Sequence, residues 1–199
     1  MANTIITISR GYGSGGRTIG RLLSKMLGVP CFDRELIYMI SSKKGIDKSI
    51  LSESDESIRR QFGNISIPSE NKRYVSSDEI YLAQSGIIRE AADRGNCVII
   101  GRCADFVLKN SGHRLVRAFI WAPEETCCKN LSEKLKISEQ EATKMIKQID
   151  RHRSDYYRHH TDNEWSSAKN YDICIDTSRF SFEDSAELIA QYAKFLEKL

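Results

Sequence analysis

The stretch TIITISRGYGSGGRT, residues 4–18, decides how this chain folds. Its opening, Thr4–Ser9, is β-branched and apolar, the composition of a strand buried on both faces. A glycine cluster follows at once. From residue 17 to 27 the apolar residues Ile19, Leu22, Leu23, Met26 and Leu27 recur at helical spacing, and Gly28 and Pro30 end that helix. A buried strand that passes through glycines straight into a helix makes an anion cradle. Glycines let successive N–H groups turn inward, and the helix start adds partial positive charge.

Two templates fit these glycines. Gly11-x-Gly13-x-x-Gly16 matches the dinucleotide fingerprint, with Asp33 seventeen residues further on. Gly11-x4-Gly16-Arg17-Thr18 matches a P-loop with arginine in the lysine position. The residues after Gly16 favour the P-loop, which needs a cation for the β- and γ-phosphates and a hydroxyl for Mg²⁺. Arg17 and Thr18 supply both. The next strand, Cys31-Phe32, is short and preceded by Pro30, a poor match to the second strand of a dinucleotide unit. Arginine binds phosphate as a planar fork, so its reach differs from lysine's.

Working outward, strands alternate with helices, the pattern of βαβ units around a parallel sheet. Residues 34–94 are polar and predict helices over 34–43, 47–62 and 77–94, with a loop around 63–69. Apolar runs at 96–101 (NCVIIG), 114–122 (RLVRAFIWA) and 171–176 (YDICID) predict strands three to five. Pro123 opens a helix in its first turn. Ser138–Glu141 forms a capping box, and the apolar spacing after it predicts a helix to about Arg151. Residues 181–199 read as a terminal amphipathic helix. The expected architecture is one α/β domain over 1–199, a three-layer α/β/α fold on a five-stranded parallel sheet. It carries a helical insertion over about 34–95 and a lid over about 148–168.

Composition narrows the class. With 199 residues, 40% hydrophobic and 29% charged, the chain has the profile of a soluble globular protein. Three prolines and no low-complexity run argue against disorder. No stretch approaches the roughly 18 apolar residues of a membrane span, and the start lacks the pattern of a secretory leader. A net charge of +3 does not suggest a nucleic-acid binder. The six cysteines form no CxxC pair and several lie in apolar runs, so reduced, buried thiols in a cytoplasmic protein are expected.

A second cationic stretch is DRHRSDYYRHH, residues 150–160, with three arginines and three of the four histidines. At helical spacing Arg151 and Arg158 share a face, with Ser154 and Asp155 between them. A lid carrying such arginines stabilises charge on a transferring phosphoryl group and excludes water. His152, His159 and His160 lack a usual zinc spacing, and no cysteine lies among them, so no metal site is expected there. Tyr156-Tyr157 alone is no base-stacking platform.

The fragments ISRGYGSGGRTIG (8–20), FDRELIY (32–38), IIGRCADFVL (99–108) and YDICIDTS (171–178) together resemble the nucleoside monophosphate kinases. More specifically they resemble the cytidylate kinase-like family, over nearly the whole chain. The resemblance implies transfer of the ATP γ-phosphate to a nucleoside monophosphate such as CMP or dCMP, with Mg²⁺. It implies that the loop opened by Gly11 (Gly13, Ser14, Gly15, Gly16, Arg17, Thr18) holds the donor phosphates, with Thr18 on the metal. Asp33 would sit near metal and acceptor phosphate, Arg89 and Arg102 would bind the acceptor, and Arg151, Arg153 and Arg158 would act from the lid, oriented by Asp155. Where cytidylate kinases carry Asp-Ser/Thr-Gly-Ala-x-Tyr-Arg, this chain has Asp33-Arg34-Glu-Leu-Ile-Tyr38-Met39. Where they carry Gly-Arg-Asp, it has Gly101-Arg102-Cys103, with an aspartate only at Asp105. Arg34 and Asp105 thus become acceptor-side candidates, and phosphate-donor chemistry is better supported than cytosine recognition. A nucleotide-binding regulator with little turnover is the main alternative, and a nicotinamide oxidoreductase a remoter one.

Overall fold

The computed structural model describes residues 2–33 and 77–196. The helices expected over 34–43 and 47–62, the loop at 63–69, and Arg34, Tyr38 and Met39 lie outside the described residues.

Five parallel strands, β1 (Thr4–Arg10), β2 (Cys31–Phe32), β3 (Cys97–Ile100), β4 (Arg114–Trp121) and β5 (Ile173–Asp176), form one sheet in the order β2-β3-β1-β4-β5. The central β1 pairs with β3 from Ile5↔Cys97 to Ile8↔Ile100, and with β4 from Thr4↔Arg114 to Arg10↔Ile120. Parallel pairing sends every strand's C-terminal end to one edge, where ligands of open α/β sheets bind. β1 shows no polar alternation because both its faces are covered. Ile6 and Ile8 pack with Ile19 and Leu23 of α1 (Gly16–Leu27) and with Ala186 and Ile189 near the C-terminus. Ile5 on the other face meets Ile88, Ala92 and Leu108. These two cores are the outer interfaces of three layers.

The described chain resumes in α2 (Ser77–Arg94), with the bounds its sequence predicts. A short α3 (Ala104–Val107) follows β3. The pair α4 (Glu124–Leu135) and α5 (Glu139–Thr161) packs through Cys127, Cys128, Leu131, Ala142 and Ile146, and the chain closes with α6 (Phe182–Leu196). Pro123 stands one residue outside α4, at the N-cap. The capping box forms as expected: Ser138 Oγ accepts from the Glu141 N–H, and the Glu141 carboxylate accepts from the Ser138 N–H at 3.0 Å.

One helix departs from its expected length. α5 continues past Arg151 to Thr161 and ends only at Asp162, in the left-handed region at φ 55°. Its inner stripe, Asp150, Arg153, Tyr157 and Thr161, is largely polar, so an apolar period misses it. All six cysteines are free; burial pushes the Cys97 thiol up to about 12 and the Cys127 thiol up to about 11. Among the described residues no helix is long and apolar enough to cross a membrane.

Candidate active site

The glycine loop leaves the end of β1 and is held through both its N–H groups and its carbonyl oxygens. Gly11 N–H donates to the Ile120 carbonyl at 2.9 Å. Asn130 Nδ2 donates to the Gly13 carbonyl at 3.0 Å, and Thr177 Oγ1 to the Ser14 carbonyl at 2.9 Å. The Ser14 hydroxyl is buried against the Gly11 and Ile120 carbonyls. Gly13 and Gly15 turn the chain at φ 87° and 83°, conformations that cost an L side chain about 1–2 kcal/mol.

The loop then becomes α1, whose start is unusual in this molecule. Its N-cap, Gly15, gives no side-chain cap, and its first turn holds no acid. Each of the other α-helices among the described residues has acid in its first turn: Asp78 and Glu79, Asp105, Glu124 and Glu125, Glu139 and Glu141, Glu183 and Asp184. The first N–H groups of a helix have no intrahelical partner. At α1 no side chain of its own neutralises them, which is the arrangement an anion requires. Thr18 is exposed on this turn.

Arg17 and Asp33 are brought together. Arg17 donates through Nε (3.1 Å) and Nη2 (2.8 Å) to Asp33 Oδ2, and Arg21 Nη2 adds a third bond at 3.2 Å. Asp33 is only 12% exposed at its side chain, whereas Arg17 is 45% exposed. The cation after Gly16 is thereby aimed at the end of β2.

Two residues that the sequence did not single out complete the loop. The Tyr12 N–H donates to the Asp150 carboxylate at 2.9 Å. Arg153 Nη1 donates to the Arg10 carbonyl at 2.7 Å and to Asp150 Oδ1 at 3.0 Å, with its guanidinium 5.5 Å from the Tyr12 ring centre. α5 is therefore clasped to the loop by an acid and a base one turn apart. Burial pushes the Asp150 carboxyl up, against the pull of Arg153 and the Tyr12 N–H. Arg10 lies in the angle between the loop and the end of β3. A Cβ on Gly16 would sit 2.5 Å from Arg10 Cβ, and one on Gly101 would strike the Arg10 guanidinium. The available signal for Arg10 was its place at the C-terminal end of a parallel strand. For Asp150 it was the three-residue spacing to Arg153.

After β3, Gly101, Arg102 and Cys103 all take positive φ, at 75°, 59° and 53°. Left-handed geometry at two successive non-glycine residues is strained, and such strain concentrates at functional sites. It turns the Arg102 guanidinium toward the Tyr156 ring, 5.8 Å from its centre. Asp105 lies deeper, 4% exposed, and accepts from the Tyr157 hydroxyl at 2.6 Å. Arg89, Arg158 and Asp155 are exposed, and Arg151, 84% exposed, lies 3.7 Å from Asp155 on the solvent side of α5.

Burial raises the Asp105 carboxyl above its ordinary value, and the Tyr157 hydroxyl opposes that rise. Tyr157→Phe should cost about 1.5–3 kcal/mol, the range for a bond to a charged group, read as a lower urea midpoint at neutral pH. A carboxyl raised in the folded state binds its proton more tightly there than in the unfolded chain. Its contribution to stability therefore declines as pH rises from the unfolded to the folded value. The Tyr157→Phe penalty should shrink in acid, where Asp105 is neutral; a penalty that is the same at both pH values would contradict this.

The sequence profile of the cytidylate kinase-like family matches residues 5–179. The chain belongs to that family. Among solved structures, this cytidylate kinase-like protein is similar to an uncharacterized protein from Eubacterium ventriosum, at 23% identity and TM-score 0.74, covering 96% of this chain and 98% of that one. It is also similar to shikimate kinase from Acinetobacter baumannii in complex with shikimate, at 16% identity, TM-score 0.54 and coverage of 96% and 93%. A gluconokinase from Sinorhizobium meliloti matches at 12% identity and TM-score 0.52, covering 98% and 96%. These likenesses establish the P-loop kinase fold. No curated protein matches the chain.

Proposed function

We propose that this cytidylate kinase-like protein transfers the γ-phosphate of ATP to a nucleoside monophosphate, with CMP or dCMP as the leading acceptor. The observation that carries the reading is the uncapped, acid-free start of α1 behind two left-handed glycines. That cradle fits a triphosphate, and Thr18, exposed on the first turn of α1, and the Asp33 carboxylate held by Arg17 are the residues that would hold a hydrated Mg²⁺. When bound, the metal neutralises charge on the β- and γ-phosphates. Loop N–H groups bind the donor phosphates, and Arg17 orients the γ-phosphate from its anchor on Asp33. Arg102, Arg89 and Arg34 hold the acceptor. Arg153 supplies charge from the face of α5 toward the loop, whereas Arg151, oriented by Asp155, and Arg158 start on its solvent side and act only when α5 closes over the bound substrates. Asp105 acts from the interior by fixing Tyr157, and through it α5. No strong general base is required, because a loose phosphoryl transition state asks mainly for positioning and charge. Free cysteines accord with a reducing cytoplasm.

The test is a coupled assay with MgATP against a panel of nucleoside monophosphates and small hydroxylated metabolites. CMP or dCMP should be phosphorylated fastest. Turnover of a non-nucleotide acceptor alone would keep the kinase and overturn the acceptor. ATP binding without phosphorylation of any acceptor would favour the regulator, a reading that rests on Arg17 being engaged by Asp33.

A further inference from the structure

Far along α5 from the glycine loop, three ligand atoms from two helices converge. Asp78 stands in the first turn of α2, and His159 and His160 in the last turn of α5. Asp78 Oδ1 lies 3.0 Å from His159 Nε2 and 3.7 Å from His160 Nδ1, and all three atoms fall within 4.8 Å of one another. We propose that Asp78, His159 and His160 bind a divalent transition-metal ion of the zinc type, which staples α2 to α5.

The chemistry selects the ion. Two imidazoles and one carboxylate suit Zn²⁺, Co²⁺ or Ni²⁺, whereas Mg²⁺ and Ca²⁺ take oxygen ligands. Metal–ligand bonds of about 2.0–2.2 Å in a tetrahedron set neighbouring donor atoms about 3.3 Å apart. The two distances from Asp78 bracket that value. His160 is already fixed. Its ring stacks on Tyr81 with centres 4.1 Å apart and planes 4° from parallel, and Tyr156 meets it edge-on at 4.5 Å. Its side chain is 4% exposed, so little rotamer freedom remains to be lost on binding. Asp78 and His159 are 68% and 59% exposed, which leaves a path for the ion and water for the remaining position. An exposed Asp78–His159 ion pair alone contributes little and gives no reason for a second imidazole nitrogen on the same oxygen. The adjacent histidines show no sequence motif because the third ligand lies 81 residues away from His159.

The site is independent of the phosphoryl-transfer reading and is tested without nucleotide. Chelator-treated protein is titrated with Zn²⁺ by calorimetry and with Co²⁺ by visible absorption. Asp78→Asn and His159→Ala, both at exposed positions, should each weaken binding about tenfold or more. His152→Ala and His113→Ala should leave it unchanged. Zn²⁺ should raise the Tm of the wild type by mass action and should do so much less in the two ligand variants. The proposal is overturned if the wild type binds neither ion, if the ligand variants bind as tightly as wild type, or if X-ray absorption finds sulfur in the zinc shell.

Discussion

Gly13→Ala is expected to destabilise the protein by about 2–5 kcal/mol and to remove ATP binding, the sum of left-handed strain and overpacking. The added Cβ would lie 2.8 Å from the Cys127 carbonyl oxygen and 3.0 Å from Cys127 Cα. Those atoms are backbone of α4. Cys127 is packed among Cys128, Leu131, Ala142 and Ile146, and Asn130 of the same helix holds the Gly13 carbonyl. The helix has nowhere to yield, so the loop must move and its N–H groups lose their aim. Gly15 makes the comparison informative. It has nearly the same φ, but its Cβ would meet the half-buried ring of Phe182, a side chain, rather than helix backbone. Gly15→Ala should therefore cost nearer the strain alone, about 1–2 kcal/mol. Urea midpoints at unchanged m-value rank the two, and calorimetry follows ATP. If Gly15→Ala proves the more damaging, or Gly13→Ala unfolds like wild type, the packing of the loop on α4 is wrong.

The loop and sheet were legible because both are written in local sequence: β-branched runs, glycines, and helical periods of the right length. α2 was legible for the same reason. The second half of α5 was not. Its inner face is made of Asp150, Arg153 and Tyr157, which bond to groups far along the chain, and Thr161, which bonds to the Tyr157 carbonyl, so the apolar period stops at Ile149 while the helix goes on. The helical spacing of Arg151 and Arg158 does put them on one side, and that side faces solvent; the face toward the loop carries Arg153. Asp150 was hidden because its partner is a backbone N–H 138 residues away. Arg10 was hidden because its neighbours, Gly16 and Gly101, meet it only once β1 and β3 are paired. The family's acceptor-side aspartate falls at Cys103 here, and the candidate two residues on, Asp105, is buried against Tyr157 instead. A sequence names a charged residue, but the side of the sheet it serves depends on packing.

Arg17→Ala should lower kcat by about 10²–10³-fold, the effect of removing one well-placed charge donor from a transition state. Its stability should move by less than about 1 kcal/mol, because the Arg17–Asp33 pair is open to water on the arginine side. That separation of kcat from Tm marks a positioning cation rather than a structural one. Arg17→Lys sharpens the point. Lysine is the usual P-loop cation, but it cannot offer the Nε and Nη2 pair by which Arg17 grips Asp33. If this chain aims its cation through Asp33, the lysine variant should recover only part of the activity. Asp33→Asn, which weakens the anchor while leaving the arginine, should then show a kcat loss of its own at nearly unchanged ATP affinity. Full activity in Arg17→Lys together with a silent Asp33→Asn would make the pairing incidental, and the loop would then work as an ordinary lysine P-loop does. Loss in both, with Tm unmoved, would mean that the substitution of arginine for lysine and the acid at the end of β2 function as one unit.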